Sequence, residues 1–254
     1  MTDWQTYFSR EKSGIARSTT VDLELSKSAP QTERPWLLWA WIGMKNPNPH
    51  GLSSAEESPT LHHIQKSIEQ ILADEANAIH IARVYRERRC ELWFYAVRNE
   101  QFERAIASAM TDFADYQFIT GSRSDPKWAA YQDEFYPTDP KHWHQVVNQK
   151  LIRTLKTRNE TLEVPHRVDH TLFFRSRENR NKFAAIAQQH GFAQAGEFDA
   201  RENRDHPHGL VVHERAPQIN LARMNQSVFT LIDIAQPLGG TYDGWGTKQA
   251  RRVS

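Results

Sequence analysis

The chain has 254 residues, enough for one large domain or two small ones that each bury a core. Its 32 Lys and Arg residues nearly balance 31 Asp and Glu residues, so no overall charge attracts nucleic acid or an acidic membrane. The single cysteine excludes an internal disulfide framework, and no apolar run approaches the roughly 18 residues of a membrane span. With an N-terminus that lacks a signal-peptide pattern, these features predict a cytoplasmic protein.

Hydrophobic periodicity predicts a regular order of elements in the first half of the chain. A half-buried strand is expected from Arg17 to Leu25, where apolar and polar residues alternate. From Trp36 onward the patterns predict strand, helix, strand, strand, helix and strand, in the segments 36–42, 58–72, 79–86, 90–98, 102–113 and 116–120. This order is that of the split βαβ, or ferredoxin-like, arrangement.

The same order recurs in the second half of the chain. A helix beginning at Asp139-Pro140 precedes a second strand and helix series in the segments 167–175, 176–190, 192–199, 210–215, 220–235 and 241–247. The polar, breaker-rich stretch 121–126 suits a boundary between the two series. The sequence therefore predicts an α+β protein of two ferredoxin-like (βαββαβ) domains with antiparallel sheets, spanning residues 1–125 and 126–254.

The last strand has the most distinctive composition in the chain, with two aromatic residues, an acid and two glycines within residues 241–247. Strict alternation predicts that Asp243, Trp245 and Thr247 lie on one face of the strand, with Tyr242 and two glycines on the other. Because glycine has no side chain, the second face would let another group approach the backbone closely.

Enzymatic chemistry has weak support in the residue patterns. The spacing of the histidines favours no metal site, and no motif indicates a cofactor. A small hydrolase with an inter-domain cleft lined by Asp169, His170 and Asp243 remains an alternative, but adjacent strand residues point to opposite faces, so Asp169 and His170 cannot form a direct dyad. The leading expectation is that the protein is not an enzyme.

Direct RNA binding is a second alternative, because aromatic residues on a four-stranded sheet can stack on bases. The candidates for such stacking are Trp93, Phe94, Tyr95, Phe173 and Phe174. The basic and aromatic signature of RNA-recognition motifs is missing, and aromatic strand residues are more often core residues. Direct nucleic-acid binding is therefore not the leading expectation.

The segment Tyr242-Asp243-Gly244-Trp245-Gly246-Thr247 resembles the C-terminal hallmark of the bacterial regulator of ribonuclease E activity B (RraB) family. In that family the motif follows a helix and forms the last strand of a ferredoxin-like domain. The segment 168–174 also resembles the family's first strand, and the resemblance covers roughly residues 139–247. The segment 128–137 resembles the region that joins such a domain to an uncharacterised bacterial domain often fused ahead of it.

The resemblance implies a protein that binds ribonuclease E and inhibits RNA cleavage, without catalysis of its own. Tyr242, Asp243 and Trp245, with Arg167, Asp169 and His170 on another strand, are the residues expected to bind the protein partner. The best-known members have an acidic tail, whereas this chain ends in the basic segment 248–254, which would reverse electrostatic steering. A homo-oligomer formed by edge-to-edge pairing of sheets is a further alternative.

Overall fold

The computed structural model describes residues 2–158, 160–200, 202–216 and 218–247. The chain divides into two compact units, one ending at Thr138 and the other beginning at Asp139. Each unit contains one sheet with helices, and both sheets are antiparallel throughout. The basic segment 248–254, which is expected to reverse the electrostatic steering of a partner, lies outside the described residues.

The first unit is a ferredoxin-like fold with an added hairpin. Its strands are β1 (Trp4–Arg10), β2 (Ala16–Asp22), β3 (Trp36–Gly43), β4 (Ile79–Arg86), β5 (Arg89–Ala96) and β6 (Phe118–Ser124), and its helices are α1 (Ser58–Ala76) and α2 (Phe102–Ala109). The strand order is β1-β2-β4-β5-β3-β6, so the four strands from β3 onward have the ferredoxin-like order. The predicted fold is confirmed here, and β1, which the sequence did not predict, extends the sheet through β2.

The helices cover one face of this sheet. Leu38, Ile42, Leu92 and Phe94 on the central strands pack against Leu61, Ile64, Ile68 and Leu72 of α1 and against Ile106 of α2. The apolar residues of α1 follow the 3.6-residue helical period. Pro59 lies in the first turn, where its lack of a backbone N–H costs no intrahelical hydrogen bond. The periodicity therefore predicted the helix face correctly.

An aromatic segment packs with the other side of β5. Trp128 stacks on Tyr95 with ring centroids 4.1 Å apart, and both side chains are fully buried. Asp125 accepts a hydrogen bond from the Tyr95 hydroxyl at 2.6 Å and others from the backbone N–H groups of Ala129 and Ala130. Because of these contacts, the stretch 126–138 lies within the first unit, and the division falls after Thr138 rather than after Asp125.

A close contact between β3 and β6 depends on a glycine. A Cβ atom at Gly121 would lie 2.2 Å from the Cζ2 atom of the Trp39 ring. We therefore expect Gly121→Ala to lower the free energy of unfolding by about 1–3 kcal/mol, because the indole must leave its position beside Trp93. Chemical denaturation measures the change. Gly43→Ala on β3 is the control, since its nearest neighbour would be 3.7 Å away, and an equal effect of both substitutions would contradict this packing.

The second unit is also ferredoxin-like. Its elements are α3 (Pro140–Thr157), β7 (His166–Phe174), α4 (Arg177–Gln189), β8 (Ala193–Asp199), β9 (His208–Ala216), α5 (Leu221–Ala235) and β10 (Gly240–Thr247). The strand order β10-β7-β9-β8 confirms the predicted topology. Side chains of Asp139, Ser176 and Asn220 accept hydrogen bonds from backbone N–H groups and so cap α3, α4 and α5. The predicted helix segments begin at these same residues.

Candidate functional site

A β-bulge in β10 decides which residues of the last strand face the core. Tyr242 pairs with Leu172 and Trp245 pairs with His170, while Asp243 is the extra residue between Tyr242 and Gly244. The predicted alternation of faces is therefore wrong. Tyr242 and Trp245 share the helix-covered face, and Asp243 is exposed at the bulge.

Buried polar side chains meet on this inner face. His170, which is fully buried, lies with Nδ1 2.8 Å from the Tyr242 hydroxyl and Nε2 3.3 Å from Oε1 of Glu214. Arg223 of α5 donates a hydrogen bond to the other oxygen of Glu214. Because a carboxylate only accepts, Nε2–H of His170 donates to Glu214. In the neutral ring, Nδ1 then accepts from the Tyr242 hydroxyl. The network thus links β10, β7, β9 and α5.

Burial and charge set the protonation of this network. Burial and the nearby Glu214 charge raise the pKa of Tyr242 well above its ordinary value, so the phenol stays protonated and can donate. Burial opposes ionisation of Glu214, yet hydrogen bonding by His170 and the charge of Arg223 hold its pKa below the ordinary value. Burial lowers the pKa of His144, which packs edge-on against the Tyr242 ring at 4.8 Å.

Trp245 has a second set of polar contacts on the same face. Its indole Nε1–H donates to Oδ1 of Asn148 at 2.8 Å, and Nδ2 of Asn148 donates to Oδ1 of Asn225 at 2.9 Å. The indole is 8% exposed and packs in an apolar cluster with Met224, Val228 and Ile232. Trp245 therefore joins β10 to both α3 and α5.

The predicted hydrolase residues do not share a cleft in this unit. His170 is fully buried with its ring nitrogens next to Tyr242 and Glu214, whereas Asp169 lies on the opposite face beside Arg167. Asp243 is exposed at the bulge. A protonated phenol and a carboxylate already paired with a guanidinium supply no activated nucleophile. The geometry favours a structural role for the inner network.

The outer face of the same sheet has a different character. Arg167 and Asp169 form an ion pair there at 2.8 Å, and their side chains are 47% and 23% exposed. In the register of the sheet, Gly246 lies opposite Asp169 and Gly244 lies opposite Thr171. A Cβ atom at either glycine would meet nothing within 4 Å, so the backbone of β10 is open on this side. We call the surface formed by Arg167, Asp169, Asp243, Gly244 and Gly246 the open face.

The six predicted binding residues are thus divided between two places. Tyr242, Trp245 and His170 lie together in the helix-covered core, and Arg167, Asp169 and Asp243 are at the surface. Of these, Arg167 and Asp243 are exposed, Asp169 and Tyr242 are half-buried, and His170 and Trp245 are buried. The inner residues can contribute only by holding the strands that present the surface residues.

The structure adds residues that sequence reasoning missed, namely Glu214, Arg223, Asn148 and His144. Glu214 follows Leu210 and Val212 at every second residue of β9, an inward position where an acid is unusual. That signal was readable in the sequence. The sequence could not identify the hydrogen-bond partners of Glu214, because His170 lies 44 residues away in the chain.

The aromatic residues considered for RNA stacking are mostly inaccessible. Trp93, Phe94, Tyr95 and Phe174 are all buried, and Phe173 is half-buried against Phe198. Within the described ranges, no three His, Cys, Asp or Glu side chains cluster closely enough to hold a metal ion. Among the helices described, none combines the length and apolar character needed to cross a membrane.

Fold and site together define a class: an α+β protein of two ferredoxin-like units, the second with a closed polar core and an open sheet face. The chain belongs to the Family of unknown function (DUF695), whose model matches residues 2–136. Residues 145–247 match the model of the family described as Regulator of ribonuclease activity B. The resemblance stated for both parts of the chain is confirmed.

Two further comparisons add little. No curated protein matches the chain. One similar solved structure is that of a proposed glycine cleavage system transcriptional repressor, 9% identical, covering 84% of this chain and 98% of its own, with a TM-score of 0.21. A likeness at that score carries no argument about fold or function.

Proposed function

We propose that the chain is a cytoplasmic regulatory protein whose second unit binds a ribonuclease through the open face and lowers its activity. The observation that carries the proposal is the match of residues 145–247 to a family described as a ribonuclease regulator. The specific partner implied by the sequence resemblance is ribonuclease E.

The open face supports this proposal because it combines charge with backbone access. The ion pair of Arg167 and Asp169 is partly exposed, and rim charges of this kind steer a partner and set its orientation. Beside it, the open positions at Gly244 and Gly246 let a partner approach β10 directly. Asp243 adds an exposed carboxylate where the bulge turns it outward.

The inner network supports the proposal indirectly. Tyr242, His170 and Glu214 connect the three strands that carry or border the open face. Buried hydrogen bonds between strands make such a face more rigid, and rigidity lowers the entropy cost of binding. The same geometry speaks against a hydrolase, because His170 is buried in the core whereas Asp169 and Asp243 are at the surface.

Substitution of Gly246 by arginine tests the open face. The new side chain would occupy space that is empty, so we expect a folded protein with unchanged thermal stability. Binding to purified ribonuclease E of the same organism should weaken at least about tenfold, because the side chain blocks the docking surface. Calorimetry measures binding, and cleavage of a model RNA measures inhibition.

Ala185→Arg is the matched control, since Ala185 is exposed on α4 in the helix layer, on the other side of the sheet. It should leave binding and inhibition unchanged. Equal binding by Gly246→Arg and the unaltered protein would exclude the open face as the docking surface. Failure of the unaltered protein to bind ribonuclease E would exclude that partner, and a second copy found instead in solution mass measurements would favour the homo-oligomer.

A further inference from the structure

A cavity of about 500 Å³ lies in the first unit, where the added hairpin meets the ferredoxin-like core. Its walls come from the β1–β2 hairpin with the turn that follows it, from α1, and from β4. Two helices are enough to cover four strands, so the two extra strands leave a recess beside α1. The volume lies in the range of small-molecule sites.

Most charges around the cavity already have partners. Glu69 lies 2.6 Å from the Lys66 ammonium and 2.7 Å from Nδ1 of His80, and Gln65 donates to it at 2.6 Å. Burial opposes its ionisation, yet His80, Lys66 and Gln65 lower the pKa of Glu69 to about 2. Asp22 accepts backbone N–H groups of Asp3 and Glu24. Both carboxylates therefore already have hydrogen-bond or ion-pair partners.

Arg83 is the exception. Its Nη1 donates to Oε1 of Gln65 at 2.7 Å, and its guanidinium lies over the Tyr85 ring at 5.0 Å, contacts that hold it at the cavity wall. Across the part of the chain that the structure describes, no carboxylate lies within ion-pair distance of it, and its Nε–H is buried without an acceptor. An anion in the cavity would supply the opposite charge that the Arg83 guanidinium lacks.

Another part of the cavity wall is apolar, although Thr2, Thr20 and His62 also line the cavity. Trp4, Leu25 and Ile79 line it, and the Trp4 ring packs on His80 with centroids 4.8 Å apart. One unpaired guanidinium matches the fork of one carboxylate, whereas phosphate sites gather several donors. We propose that this cavity binds a small carboxylic acid with an apolar or aromatic body, its carboxylate against Arg83 and its body against Trp4, Leu25 and Ile79.

Titration calorimetry on the full chain tests the site with phenylacetate as the probe and phenylacetamide and phenethylamine as its neutral and cationic counterparts. Phenylacetate should bind, and both counterparts should bind at least about tenfold more weakly, because only the acid pairs with the guanidinium. Arg83→Gln should remove the preference for phenylacetate over its neutral and cationic counterparts. Arg98→Gln, an exposed arginine that donates to the Glu75 carbonyl, should leave binding unchanged.

Equal affinity for the acid and the amide would overturn the proposal, as would absence of phenylacetate binding at millimolar concentration or full binding by a folded Arg83→Gln variant. Preference for phenyl phosphate over phenylacetate would overturn the choice of carboxylate. If Arg83→Gln does not fold, the comparison of acid and amide on the unaltered chain decides the outcome. None of these measurements depends on a ribonuclease.

Discussion

Replacing Trp245 with alanine should lower the free energy of unfolding by about 3–5 kcal/mol, the usual cost of removing a large aromatic side chain from a core. The indole fills space between Met224, Val228 and Ile232 of α5. Its loss also leaves Asn148 without the donor at 2.8 Å. Urea denaturation followed by circular dichroism measures the effect, and a loss of tertiary order in the second unit would be the extreme form of it.

Asp243→Ala, two residues earlier, is the matched control for this prediction. Asp243 is exposed at the bulge, so its replacement should change stability by less than about 0.5 kcal/mol. It should instead weaken partner binding if the open face docks the ribonuclease. A stable Trp245→Ala protein would show that the indole is not a core residue.

Replacing Glu214 with alanine should cost about 3 kcal/mol at neutral pH. The substitution leaves the buried Nε2–H of His170 without an acceptor and removes the carboxylate that faces Arg223. Glu214→Gln keeps a side-chain oxygen of similar shape and should cost less. The order of the three denaturation midpoints, unaltered, glutamine and alanine, is the measurement.

The pH dependence of stability supplies a second test of Glu214. Its pKa in the folded protein lies below the ordinary value of 4.5, so its contribution is present above that pH. The contribution is lost as the pH falls through the lower folded pKa, because the unfolded chain then binds more protons. Glu214→Gln should therefore lose less stability than the unaltered protein between neutral pH and pH values below 4.5. Parallel acid profiles would contradict the paired, ionised state of Glu214.

Local patterns were enough to predict much of the fold. In α1, the spacing of Leu61, Ile64 and Ile68 and the proline near its start predicted a helix and its buried face. In the second unit, the predicted helix segments begin at Ser176 and Asn220, which are the N-caps of α4 and α5. These signals are local, because a helix satisfies its hydrogen bonds within one segment and a cap lies within three residues of its partner.

The added hairpin and the placement of the aromatic segment show where local patterns fail. Strand β1 exists because it pairs with β2 from Trp4 to Arg10. The stretch around Trp128 belongs with the first unit because its indole stacks on Tyr95, which lies 33 residues earlier in the chain. Both depend on pairing or packing with another segment, which the periodicity of one segment does not identify.

For the last strand, the sequence by itself determined the identity of the segment. It is a closing strand after a helix, within residues 145–247 that match the model described as Regulator of ribonuclease activity B. Only the tertiary structure decided which side chains it buries. The bulge at Asp243 adds one residue against β7, and one extra residue reverses every later side chain in a structure of period two. For that reason Tyr242 and Trp245 meet in the core, and the glycines and Asp169 remain on the open face.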